Sequence, residues 1–83
     1  METVVNVAGH SATVELEMIV GGRTIQLAQV APEFVILQQP MELAPSLAEI
    51  IVRVDGHENR SIVRLVDGIQ ASSRRVKVVK QAA

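Results

Sequence analysis

The sequence predicts an all-β domain, a compact antiparallel barrel or a small sandwich of six to seven short strands. Three observations predict it. Valine and isoleucine supply more than half of the apolar residues, and their branched side chains are stiff at the first torsion and suit a pleated surface better than a helix. Short segments alternate apolar and polar residues with period two. Gly21-Gly22, Asp55-Gly56, Asp67-Gly68 and three prolines punctuate those segments at roughly regular spacing, as the turns of a small β fold do.

Residues 12–30 carry the clearest element. Val14, Leu16, Met18 and Val20 alternate with Thr13, Glu15, Glu17 and Ile19 before Gly21-Gly22. A two-residue type I′ turn needs positive φ at both central positions, which Gly-Gly supplies. That turn sets the register: Met18 opposite Ile25, Leu16 opposite Leu27, Val20 opposite Arg23, and on the other face Glu17 opposite Gln26 and Ile19 opposite Thr24. Pro32 ends the second strand, because proline cannot donate to a ladder. Phe34 to Leu37 is a short apolar run expected as a buried third strand, and Pro40 and Pro45 bracket a loop.

Ser46 to Val54 fits two templates. Ala48, Ile50, Val52 and Val54 share one face of a strand. Leu47, Ile50, Ile51 and Val54 also fall at helical spacing behind a Ser46/Glu49 capping-box pattern. The β-branched run Ile50-Ile51-Val52 and the short span before Asp55-Gly56 favour the strand. A turn through Asp55-Gly56-His57-Glu58-Asn59 is expected next, then a strand over 60–66 with Ile51 opposite Ile62, Glu49 opposite Arg64 and Arg53 opposite Arg60. The last of these is unfavourable and points to a bulge. Asp67-Gly68 is a further turn and 69–73 a loop. Residues 75–79 alternate, with Val76 and Val78 on one face. A strand over 3–7 and a frayed tail over 80–83 complete the expectation.

A chain of 83 residues is one domain, 1–83, and its size limits burial to about 60% of the unfolded surface. There is no cysteine, which excludes disulfides and thiol chemistry and agrees with a reducing compartment. Residues 1–9 hold neither a basic segment nor a long apolar core, so no signal peptide is expected. No apolar run approaches the length of a membrane span. The expected setting is cytoplasmic.

Formal net charge is −1, but it is unevenly spread. Six acidic residues and one basic residue precede Arg53, giving −5; seven basic and three acidic residues follow from Arg53 onwards, giving +4. Strands of one half can pair with strands of the other and neutralise the difference across the sheet. Alternatively, the basic half forms a face for an anionic partner. Arg74, Arg75, Lys77 and Lys80 are then the anion or nucleic-acid contacts. Against nucleic acid stands the single aromatic residue, Phe34, since single-strand binders stack bases on several such rings. Lysines on a strand also guard an edge against aggregation.

No catalytic site, cofactor loop or metal site is expected. Asp55, His57 and Ser61 lie too close together on one turn to orient a base between two partners, and polar turn chemistry accounts for them. His57 and His10 lack paired ligand spacing. Gly21-Gly22-Arg23 lacks the longer glycine spacing and following helix of a phosphate loop. The strand spacing over 23–66 is similar to that of PilZ-like six-stranded barrels. The arginine pair and the Asp/Asn-x-Ser-x-x-Gly motif of such domains are absent, with Arg74-Arg75 at the opposite end of the chain.

One feature bears on partners. Ile19, Val30, Ile51, Ile62, Val66 and Val79 fall out of phase with the better apolar stripe of their strands. Pointing outwards, they form an apolar patch that needs cover, and a symmetric homodimer is the commonest way to provide it. The function expected is therefore a non-enzymatic, self-associating protein-interaction or accessory module, with anion or nucleic-acid binding as the alternative.

Overall fold

The computed structural model describes residues 13–81. Seven strands form: β1 (Val14–Val20), β2 (Arg23–Val30), β3 (Phe34–Leu37), β4 (Ser46–Val54), β5 (His57–Leu65), β6 (Arg75–Lys77) and β7 (Val79–Lys80). Every pairing is antiparallel, and the order is β6-β3-β2-β1-β4-β5-β7. The two outermost strands of that order are halves of one C-terminal segment, joined at Val78. The Val78 N–H bonds the Glu33 carbonyl at 3.0 Å, and the Gln81 N–H bonds the Ile62 carbonyl at 2.9 Å. The segment therefore pairs first with β3 and then with β5, and the sheet becomes a nearly closed barrel. Lys80 and Gln81 are part of that pairing rather than of a frayed tail. The strand expected over 3–7 and His10 lie outside the described residues.

The β1–β2 turn forms as its glycines require, with φ of 59° at Gly21 and 78° at Gly22. The ladder runs from Val20–Arg23 to Glu17–Gln26 as expected, and ends there without a Leu16–Leu27 pair. β3 then pairs with β2 across an irregularity between Leu27 and Gln29. β4 is a strand over its whole predicted length. Pairing with β1 on one side and β5 on the other satisfies its backbone, which a short isolated helix would not match.

The β4–β5 connection departs from the sequence expectation. Asp55 (φ 51°) and Gly56 (φ 85°) alone make a two-residue turn, so His57, Glu58 and Asn59 are strand residues. The register moves by two: Ile51 faces Arg60, Glu49 faces Ile62 and Arg53 faces Glu58. The shift is even, so each side chain keeps its face, and the unfavourable arginine pair becomes an ion pair. Asp55 tolerates positive φ, as short polar side chains do. Its carboxylate accepts the Thr13 N–H at 2.9 Å, and its own N–H bonds the Thr13 carbonyl at 2.9 Å.

The barrel interior holds Met18, Val20, Leu27, Val35, Leu37, Ile50, Val63, Leu65, Val76 and Val78, with no buried polar or charged residue among the described ones. Val30 packs against this core and so leaves the predicted outer patch. The 69–73 segment is not all loop, because Ile69 is fully buried and bridges Leu43. That bridge closes one barrel end and depends on Gly68. A Cβ there would lie 2.3 Å from the Leu43 carbonyl oxygen, and φ is +64°. Gly68→Ala is expected to lose about 2 kcal/mol or more through overpacking and strain, read as a lower denaturation midpoint. An unchanged midpoint would show that the bridge does not hold this end.

Candidate functional site

Side chains alternate across the wall of the barrel, so the core face of β1, β4 and β5 leaves an opposite face to solvent. The registers arrange that outer face in four rows across the strands. They are Glu15–Arg53–Glu58, Glu17–Ile51–Arg60, Ile19–Glu49–Ile62 and Leu47–Arg64–Val79.

The first two rows form a charged roof. The Arg53 guanidinium donates to Glu17 at 2.8 Å, to Glu58 at 2.9 Å and to Glu15 at 3.5 Å. Arg60 donates to Glu49 at 3.1 Å and also pairs with Glu58. Acidic residues of the first half, Glu15, Glu17 and Glu49, thus meet Arg53 and Arg60 of the second, and part of the charge asymmetry of the sequence is absorbed within the sheet. Ile51 lies beneath this roof at 1% exposure. It is therefore not part of an exposed patch, although its strand phase does point outwards. Long arginine stems cover apolar surface while their charged heads remain wet.

The other two rows form an apolar end. Leu47 (51% exposed), Ile62 (45%) and Val79 (46%) surround Glu49 and Arg64, with half-buried Ile19 alongside. Val66 is also exposed, one residue beyond the end of β5. Of the residues expected in the patch, Ile19, Ile62 and Val79 come together. Leu47 joins them, hidden in the sequence because it also fitted a helical stripe.

The four basic residues do not converge. Arg75 and Lys77 share the outer side of β6, where the Arg75 guanidinium sits 4.0 Å from the centre of the Phe34 ring. Arg74 turns to the Gln38 carbonyl at 3.5 Å. Lys80 is opposite Val63 and borders a groove of about 290 Å³, floored by Ile50, Val63 and Val78 and rimmed by Asn59 and Ser61. His57 is exposed at the start of β5, and among the described residues no group of three or more His, Cys, Asp or Glu side chains gathers to hold a metal. No helix among them is long and apolar enough to cross a membrane. Comparison with protein-family models, with curated proteins and with solved structures finds no match to this chain.

The roof makes stability depend on pH. Arg53, followed by Gln26, holds the Glu17 carboxyl below its ordinary value, and Arg60, followed by Arg53, does the same to Glu58. A depressed folded-state pKa adds stability above the unfolded value, near 4.3, and that stability is lost as pH falls through the folded value. The denaturation midpoint should hold between about pH 7 and 5 and drop below about pH 4.5. Arg53→Met should flatten that drop, and an equal drop in both proteins would remove the roof from the account.

Proposed function

We propose that this chain is a non-enzymatic protein-interaction module that self-associates in a cytoplasmic setting. One observation carries the reading: Leu47, Ile62 and Val79 are exposed together around Glu49 and Arg64 at one end of the outer face, with half-buried Ile19 alongside. The surface of a small monomer ordinarily scatters its exposed apolar residues singly. Glu49 and Arg64 lie within the patch, so two copies related by a twofold axis can set opposite charges across it. No catalytic step is assigned.

Light scattering across a concentration series tests this. The expected mass rises from that of one chain towards two. Leu47→Glu with Val79→Glu should weaken association by about tenfold or more, the equivalent of 1.4 kcal/mol, while leaving the circular dichroism spectrum unchanged. The mass of a single chain at every concentration would overturn the reading.

A second reading, anion binding, is favoured by Arg75 and Lys77 side by side on β6 next to Phe34. Phosphate contacts predict an affinity for single-stranded nucleic acid that falls steeply as salt rises. The absence of binding at low salt would eliminate it.

A further inference from the structure

Among the described residues, which end at Gln81, the C-terminal strand follows β5 as far as the Gln81 N–H to the Ile62 carbonyl. From His57 to Ser61, β5 has β4 on one side and no strand on the other among the described residues. The phase of this edge follows from the turn. In a two-residue hairpin the closing pair, Val54–His57, exchanges both backbone bonds. Residues 57, 59 and 61 therefore turn their N–H and C=O groups towards β4, and 58, 60 and 62 turn theirs away. The outward Ile62 carbonyl, occupied by Gln81, agrees with that phase. Glu58 and Arg60 thus present two N–H and two C=O groups along an edge that no described residue pairs.

We propose that two copies of this chain join edge to edge through β5, antiparallel about a twofold axis at Asn59. The proposal rests on the self-association read above and adds to it a second contact, separate from the apolar end. Three symmetric registers bring outward-facing groups together. An axis at Glu58 sets that carboxylate against its own copy. An axis at Arg60 sets two guanidiniums opposite each other and directs Glu58 to the Ile62 carbonyl, which is taken. An axis at Asn59 places Glu58 opposite the partner's Arg60 and Arg60 opposite the partner's Glu58, and it makes four backbone hydrogen bonds. Opposite charges across a strand pair favour it and like charges oppose the other two. Asn59, which is uncharged, is the residue that meets itself on the axis. Residues 57–61 contain neither lysine nor proline, and the two charges that would guard the edge, Glu58 and Arg60, are complementary in this register. Such a dimer is isologous and closed.

Residue-resolved amide exchange on the unaltered chain, run at several concentrations, tests the contact. Protection of the Glu58 and Arg60 amides should grow in step with the dimer fraction from light scattering. A dimer in which both amides exchange rapidly at every concentration overturns this contact and leaves the apolar-end reading standing. A strict monomer overturns both. Arg60→Pro removes an outward N–H together with the guanidinium that serves Glu49 and Glu58, so Arg60→Ala, which removes the guanidinium alone, is its control; a proline is tolerated on an edge. The proline variant should weaken dimerisation about tenfold or more beyond that control, because two backbone bonds are lost per dimer. Unchanged association of a folded Arg60→Pro variant would also overturn the contact.

Discussion

Strand β4 is held on both flanks and, at Ile50 and Ile51, covered on both faces, and the rest of the molecule is arranged around that fact. It pairs with β5 along its full nine-residue length and with β1 from Glu49 to Val54. Ile50 points into the barrel and Ile51 points out, yet both are buried. One is sealed by the core and the other by side chains reaching across from the neighbouring strands. A small domain has little interior to spare, and here a second, shallow layer forms on the outside of the sheet.

The charged residues belong to that second layer. Arg53 and Arg60 come from the basic half of the chain, and Glu15, Glu17 and Glu49 from the acidic half. The register brings them within reach of each other. Exposed ion pairs of this kind contribute little individually, but here they share partners and cover an isoleucine, so removing one arginine both uncovers apolar surface and leaves carboxylates without a donor.

Strand lengths set the remaining features. β5 is nine residues long, while the C-terminal segment splits its few pairs between β3 and β5. Among the described residues, β5 near the β4–β5 turn is therefore paired on the β4 side alone. The groove beside Asn59 and Ser61 and the open stretch of β5 are two views of that mismatch. At the far end of the outer face Leu47, Ile62 and Val79 are exposed around Glu49 and Arg64.

The strands from β1 to β4, the Gly21-Gly22 hairpin with its register from Met18 to Arg23, and the buried phase of Val76 and Val78 were legible in the sequence, because alternation and turn chemistry are local. The length of the second turn was not. Asp55-Gly56 fits a two-residue loop or the start of a longer one, and only pairing along the whole of β4 and β5 selects between them. The same limit applies to the surface. Strand phase says that Ile51, Ile62 and Val79 point away from the core, but whether a side chain is roofed or bare depends on its neighbours two strands away. The convergence of Arg53 with Glu15 and Glu17, the separation of Lys80 from Arg75 and the bridge from Ile69 to Leu43 are likewise long-range. They are consequences of strand order, which period-two alternation does not encode.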